Sequence, residues 1–180
     1  MFLHTERLES GWCREQEFDL AVSYTYRYIL SGETLDALGG NVVNLHNSFL
    51  PFNRGADPNI WSILEGTPRG VTLHYMTVGL DKGSVIAQRL VGACGPEATL
   101  ASSYEELDRA AKGLFMDAFA WYEFWEGMKK EPWGNGSYHS VKDGCFVKEL
   151  TDTYDIYVSD FKERYREYQA ARADQGDWDL

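Results

Sequence analysis

The sequence predicts a single α/β domain, because strand-like and helix-like stretches alternate along the chain. Val42–His46 is a short, largely apolar run of the kind that forms a buried strand, and 71–76 alternates apolar and polar side chains. From about residue 102 the apolar residues recur with the 3.6-residue period of an amphipathic helix. A chain of 180 residues is long enough to build one substantial hydrophobic core.

The first part of the chain predicts two strands with a short helix between them. Residues 19–28 contain one valine and three tyrosines, residue types that favour strands. A helix over 33–38 follows, opened near Ser31 and closed by a pair of glycines. The strand Val42–His46 comes next, and Pro51 then begins an irregular segment.

The rest of the chain predicts a helix, a hairpin and two further helices. We expect a helix within 54–66, capped by Asp57 and begun by Pro58, before a hairpin of 71–76 and 84–91. Ser102 and Ser103 each precede a glutamate by three residues, a capping pattern that predicts a long helix from there to about Lys129. A charged helix is expected over 159–173.

Composition and charge limit the classes of partner. The formal net charge is −11, with 28 acidic against 17 basic side chains, and this excess disfavours a nucleic-acid partner, whose phosphates are bound mainly by Lys and Arg. The three cysteines are far apart, so no metal site is expected. Their odd number and the lack of an apolar leader predict a cytoplasmic protein. No apolar run approaches the ~20 residues that cross a membrane.

Three polar side chains near two predicted strand ends indicate a reactive site. Asn44 and His46 are two positions apart, so on a strand they face the same side. Asp81 lies in the loop after the next strand. An amide, an imidazole and a carboxylate together can bind an oxyanion and move a proton. Each residue also has a purely structural alternative, in a core, a cap or a turn, and His74 is expected to be structural.

Two segments carry a resemblance to a known family. The segments NLHNSFLPFNRG and GVTLHYMTVGLDKGSVIAQ resemble the N10-formyltetrahydrofolate-dependent formyltransferases, which act on methionyl-tRNA, sugar amines or glycinamide ribonucleotide. The family pattern is Asn-x-His-x-Ser-x-Leu-Pro-x-x-Arg-Gly followed by Gly-Val-Thr and Asp-x-Gly-x-Ile-x-x-Gln. The likeness is strong over 19–90 and fainter to Asp143. Asn47 replaces the usual proline, and Lys82-Gly83-Ser84 replaces the usual Thr-Gly-Asp.

The resemblance implies a fold and a division of the chain. We expect a three-layer Rossmann-like formyltransferase domain over 1–150 and a C-terminal helical extension over 151–180. Family members begin with a strand and helix that this sequence lacks, so the sheet is expected to have a gap. Three alternatives stay open: the first residues pair differently, a second copy of the chain covers the gap as a homo-oligomer, or activity is impaired.

The resemblance also implies a reaction and roles for the three polar residues. The enzyme would transfer a formyl group from 10-formyltetrahydrofolate to a primary amine of a small acceptor, either an amino sugar nucleotide or an aminoacyl group. Asn44 would donate to the oxyanion, His46 would be the second donor and proton shuttle, and Asp81 would orient His46 and act as or relay to the base. Alternatives are a formyltetrahydrofolate hydrolase and a folate-binding or interaction protein without turnover.

The resemblance places the two substrates around these residues. On one side the folate pocket would be lined by Arg27, Tyr28 and Leu30. On the other side the loop would contribute Thr77, Val78, Gly79 and Leu80. For the acceptor, the expected binding residues are Ser48, Arg54 and Trp61.

Overall fold

The computed structural model describes residues 3–132 and 134–174. Numbered in chain order, the strands and helices are α1 (Ser10–Arg14), β1 (Ala21–Tyr24), α2 (Gly32–Ala37), β2 (Val42–His46), β3 (Arg54–Gly55), α3 (Pro58–Glu65), β4 (Gly70–Tyr75), β5 (Val85–Leu90), α4 (Leu100–Phe119), α5 (Trp125–Met128), β6 (Tyr138–His139), α6 (Val147–Leu150) and α7 (Val158–Asp174). A short 3₁₀ helix, Tyr122–Phe124, precedes α5. This alternation confirms the predicted α/β class.

The main sheet has the strand order β1-β2-β4-β5. β1 runs parallel to β2, whereas β2 pairs antiparallel with β4 and β4 antiparallel with β5. β4 and β5 form the predicted hairpin. β3 and β6 make a separate parallel pair, so a strand from late in the chain lies beside the segment that follows β2.

The two faces of the main sheet carry different side chains. One face packs against α4 in a cluster that includes Val43, Leu45, Leu73, Leu107 and Ala111. Because side chains alternate along a strand, Asn44 and His46 on β2 point to the opposite face. The helix α4 thus covers the apolar face, while the polar residues of β2 are left free to build a site.

Three sequence expectations about element boundaries are corrected by the structure. The first strand is shorter than 19–28, because Thr25 has a left-handed φ of 52° directly after β1. The helix α4 begins at Leu100, since Thr99 and Ser102 form the capping box. Ser103 instead donates to the backbone oxygen of Leu100 inside the protein. The helix ends at Phe119, well before Lys129, where the chain turns into the 3₁₀ helix.

The start of α3 combines a confirmed feature with a corrected one. Pro58 is the first helical residue, as predicted. Asp57 precedes it with a left-handed φ of 49°, and its side chain makes no capping hydrogen bond. A carboxylate that does not cap the helix is available to solvent and to the cavity beside it.

A second apolar cluster joins the C-terminal segment to α3. It contains Ile60, Ile63, Phe146 and Phe161, and Phe161 on α7 is fully buried. The helix α7 begins one residue before the predicted 159–173. The last residues of the predicted extension, 175–180, lie outside the described part of the chain.

Neither a membrane span nor a metal centre is found in residues 3–132 and 134–174. None of the helices there is both long and apolar enough to cross a bilayer. No group of three or more histidine, cysteine, aspartate or glutamate side chains is arranged to hold a metal ion.

Candidate active site

A cavity of about 980 Å³ opens beside the carboxyl end of β2. Its walls include Asn44, His46, His74 and Asp81. Ligand sites of α/β sheets commonly lie beyond the carboxyl ends of strands, and pockets for small molecules are typically about 300–1,000 Å³. The volume is therefore sufficient for a substantial ligand or for two smaller ones.

The pairing of β2 with β4 brings an amide and two imidazoles together. Asn44 lies directly opposite His74 in the antiparallel register, and His46 is opposite Thr72. Residues opposite one another project from the same face of a sheet. The two histidine rings lie 6.4 Å apart and meet edge to face.

Asp81 joins this group from the loop between β4 and β5. Its Oδ1 lies 3.2 Å from Asn44 Nδ2 and 3.4 Å from His74 Nε2. Its Oδ2 lies 3.6 Å from His46 Nε2 and accepts a hydrogen bond of 2.9 Å from the Gly55 backbone N–H. Asp81 has a left-handed φ of 51°, a conformation uncommon outside glycine that is found at functional sites.

Burial and charge decide the protonation of this group. Burial alone would raise the pKa of Asp81, but the nearby His46 and His74 and the Gly55 N–H hold that pKa well below its usual range. Burial lowers the pKa of His46, and its approach to Asp81 offsets only part of that effect. Near neutral pH, Asp81 is therefore a carboxylate and His46 is a neutral imidazole.

Backbone carbonyls fix the tautomers of the two histidines. A carbonyl can only accept a hydrogen bond, so His46 Nε2 carries the proton that it donates to Asn53 O at 3.0 Å. His74 Nδ1 likewise donates to Tyr75 O at 2.8 Å. His74 Nε2, on the other side of the ring, lies 3.4 Å from Asn44 Nδ2.

The structure brings the three predicted catalytic residues together, with a fourth polar side chain beside them that the sequence reasoning did not place there. Asn44, His46 and Asp81 converge at the cavity, as their spacing suggested. His74, expected to be structural, lies 1% exposed within contact of both Asn44 and Asp81. The signal that could have found it is the antiparallel register between β2 and β4, which sets His74 opposite Asn44.

Most of the residues expected to bind folate line the cavity. Those in its wall are Arg27, Tyr28, Leu30, Thr77, Gly79 and Leu80. Val78 is 80% exposed and is not part of that wall, although its side chain lies close to Gly32. Arg27 packs over the Tyr28 ring at 5.9 Å and is the only arginine or lysine among the lining residues of the described chain.

The residues expected to bind the acceptor lie outside this wall. Ser48 is fully buried, and its backbone oxygen accepts from Thr72 Oγ1 at 2.8 Å. Trp61 is buried behind the cavity, and Arg54 Nε points to the Ser137 backbone oxygen at 3.4 Å. The cavity wall also contains residues from four distant parts of the chain: Asp57, Tyr104, Glu105, Tyr138, His139 and Tyr154.

The site as a whole is suited to acyl transfer between a carbonyl group and a nucleophile. An amide N–H beside a buried imidazole N–H can stabilise negative charge on an oxygen, where a single lost donor typically costs about 10²–10³ in rate. The ionised Asp81 is positioned to take up a proton. Each of these groups is held by at least one backbone hydrogen bond or neighbouring side chain.

Comparison with known proteins identifies a family and several solved structures that the chain resembles in sequence and fold. A family model described as formyl transferase matches residues 8–119. The formyltransferase PseJ from Anoxybacillus kamchatkensis, solved with UDP-4,6-dideoxy-4-formamido-L-AltNAc and tetrahydrofolate, is 35% identical with a TM-score of 0.76. That alignment covers 88% of this chain and 84% of PseJ.

More distant structures share the fold over a smaller part of their length. The phosphoribosylglycinamide formyltransferase from Bacillus halodurans is 26% identical with a TM-score of 0.57, over 62% of this chain and 58% of that one. A sugar N-formyltransferase from Shewanella sp. is 22% identical with a TM-score of 0.66, over 86% of this chain and 62% of its own. The latter likeness supports the fold alone.

Proposed function

The chain belongs to the formyl transferase family, and from that premise we propose that Asn44, His46 and Asp81 carry its reaction. The enzyme transfers a formyl group from a formyl-tetrahydrofolate donor to an amine. The observation that carries our assignment is the convergence of these three side chains on one open cavity, with His74 beside them.

The cavity offers a side suited to each substrate. When bound, 10-formyltetrahydrofolate supplies the formyl group, and N10 is the nitrogen from which that group leaves. We assign it to the side of Arg27, Tyr28, Leu30 and Gly79, because a guanidinium suits the carboxylates of its glutamate tail and a glycine loop lets backbone groups approach a flat pterin edge. The 980 Å³ volume leaves room for an acceptor on the opposite side.

The roles of the three residues follow from their geometry. As negative charge develops on the formyl oxygen, Asn44 turns to it one of the Nδ2 protons that face Asp81 Oδ1 and His74 Nε2. His46 Nε2–H, which also donates to Asn53 O, is the second donor. We assign to Asp81 the role of base, or of relay to the base, for the proton that the attacking amine must lose, because its carboxylate lies within 3.6 Å of His46 Nε2. Asp81 also keeps both other side chains oriented.

We propose a nucleotide-linked amino sugar as the acceptor. PseJ binds such a formamido sugar and matches this chain over most of both lengths. The acceptor side carries Tyr104, Tyr138 and Tyr154, whose rings and hydroxyls suit a sugar ring. Its carboxylates, Asp57 and Glu105, suit an ammonium group before it loses a proton.

We also propose a division of the chain into two segments, a cellular location and an oligomeric state. We assign the reaction to residues 1–150 and a supporting role to the extension 151–180, whose Phe161 packs against the cluster containing Ile60. We place the enzyme in the cytoplasm. We propose a homo-oligomer in which a second copy covers the outer edge of β1. Size-exclusion chromatography with light scattering would test whether the chain forms such an oligomer.

The test is formation of tetrahydrofolate from 10-formyltetrahydrofolate with nucleotide-linked 4-amino sugars, with aminoacyl amines, and with no amine. We expect release that depends on the amino sugar and a formylated sugar as product. Equal release without an amine would indicate a hydrolase. Folate-induced thermal stabilisation without release for any amine would indicate a binding protein, and either outcome would contradict the proposal.

A further inference from the structure

A segment from late in the chain lies against the loop that follows the catalytic strand. The loop is residues 53–56, and the late segment is residues 137–139. β6 in the late segment pairs with β3 in the loop. Arg54 N donates to Ser137 O at 3.0 Å, and Ala56 N donates to His139 O at 2.9 Å.

Loop 53–56 supplies the backbone groups that hold two of the catalytic side chains. Asn53 O accepts from His46 Nε2 at 3.0 Å, and Gly55 N donates to Asp81 Oδ2 at 2.9 Å. The late segment is in close contact with this loop, because a Cβ built on Gly55 would lie 2.2 Å from His139 O. Any shift of the late segment is therefore transmitted to His46 and Asp81.

Glu65, the last residue of α3, holds the loop and the late segment together. Its Oε1 lies 3.0 Å from His139 Nε2, although the ring N–H is not aligned for a hydrogen bond. Ser137 Oγ donates to Oε2 at 3.4 Å, and Ser137 Oγ also accepts from the Asn53 backbone N–H at 2.9 Å. With its amide turned to satisfy its neighbours, Asn53 Nδ2 donates to Glu65 Oε2 at 3.0 Å.

Contacts with buried residues hold His139 and Asn53 in place around Glu65. The His139 ring stacks on Trp61 of α3 at 3.8 Å with an interplanar angle of 6°. Asn53 is fully buried and has a left-handed φ of 54°, which directs its carbonyl to His46. Glu65 is not in the cavity wall, and its side chain is 32% exposed. It therefore contacts the catalytic groups only through other residues.

We propose that Glu65 is a positioning residue for formyl transfer, which fixes His46 and Asp81 through Asn53, Ser137 and His139. The proposal rests on the proposed function, because it takes His46 and Asp81 as the groups that react. A carboxylate binds several donors more strongly than a neutral group does. Misplacement of catalytic groups by about 1 Å can cost about 10²-fold in rate.

The test compares Glu65→Gln with a matched control, Glu33→Gln. Glutamine keeps the shape of Glu65, but one of its two terminal atoms is an amide nitrogen, which cannot accept a hydrogen bond. In the wild type the same donors face a carboxylate, in which both atoms accept. Glu33 is an exposed carboxylate on α2 that pairs with Arg14 and is not in the cavity wall. We expect Glu65→Gln to lower kcat by about 10- to 100-fold with an unchanged Kd for the folate, and Glu33→Gln to match the wild type.

A second measurement separates positioning from general damage to the fold. Glu65→Gln is combined with Asp81→Asn, and because the two residues act through one group we expect little further loss in the double variant. Fully additive losses would overturn the proposal, as would a folate affinity that falls in parallel with kcat. If Glu65→Gln does not fold, Ser137→Ala replaces it and is expected to lower kcat with folate affinity kept.

The variants tell a wrong role for Glu65 apart from a wrong assignment of the catalytic residues. If Asp81→Asn keeps full activity, the assignment of the catalytic residues is wrong. If Asp81→Asn loses activity while Glu65→Gln and Ser137→Ala keep theirs, only the positioning role of Glu65 is wrong.

Discussion

The two faces of β2 and β4 are built from alternate residues of the same strands, yet they are held in different ways. Val43, Leu45 and Leu73 pack on α4, where apolar contact alone is sufficient. Asn44 and His74 on the other face are held by individual hydrogen bonds and charges. We therefore expect the apolar face to tolerate exchange of similar side chains. Each polar group on the other face, which we call the reactive face, has a specific partner.

The reactive face also depends on backbone conformations that the apolar face does not need. Asn53 and Asp81 both have a left-handed φ, and each accepts a hydrogen bond from β2: Asn53 O from His46 Nε2, and Asp81 Oδ1 from Asn44 Nδ2. Non-glycine residues in this conformation cost about 1–3 kcal/mol each and persist where the surrounding structure fixes them. We therefore expect mutations on the two faces to separate activity from stability.

The largest expected effect is on activity, from Asp81→Asn on the reactive face. Removing this charge disturbs the contacts with Asn44, His46 and His74 at once and removes the proton acceptor. We expect kcat/KM for formyl transfer to fall by about 10²–10⁴. The matched control is Asp117→Asn, the same change at an exposed carboxylate of α4 that pairs with Arg89. A comparable loss in both variants would contradict the separation of the faces.

Leu73→Ala makes the converse change on the apolar face. Leu73 is fully buried in the cluster beneath α4, so truncation leaves a cavity there. We expect the free energy of unfolding to fall by about 2–5 kcal/mol, measured by urea denaturation. The activity per folded molecule should stay close to that of the wild type. If kcat fell as strongly as stability, the two faces would not be independent.

A smaller effect is expected of pH on the stability of the folded protein, because His46 and Asp81 on the reactive face change their pKa on folding. The unfolded chain takes up a proton at His46 below about pH 6.5, whereas burial lowers the pKa of that ring in the folded protein. The unfolded state then binds more protons, so stability falls as the pH drops below about 6.5. Asp81, whose pKa is also depressed, acts in the same direction below about pH 4.

The measurement is the melting temperature of the wild type and of His46→Gln between about pH 7 and pH 5. Glutamine does not titrate, so the variant should lose less stability across this range. Parallel curves for the two proteins would show that His46 is not the group responsible.

Local sequence signals predicted the parts of the fold and site that depend on local spacing. The β2 run, the β4–β5 hairpin and the shared face of Asn44 and His46 all follow from the two-residue period of strands. The approach of Asp81 was expected because its loop follows the neighbouring strand. His74 needed the register between β2 and β4, which the pattern within one strand does not define.

Long-range contacts account for what the sequence could not show. Tyr138 and His139 join the site because β6 pairs with β3, although more than 80 residues separate them in the chain. Ser48 and Trp61, expected to bind the acceptor, are buried outside the cavity wall. Thr25 ends β1 in a left-handed conformation that its residue type does not indicate.

The central claim is tested most directly by Asn44→Ala, with formyl transfer to an amino sugar nucleotide and folate affinity measured on the same preparation. Asn44 donates to the developing oxyanion in our account but does not hold the folate. We expect the rate of transfer to fall by about 10²–10³ while the Kd for the folate is unchanged. Undiminished turnover by this variant would contradict the account.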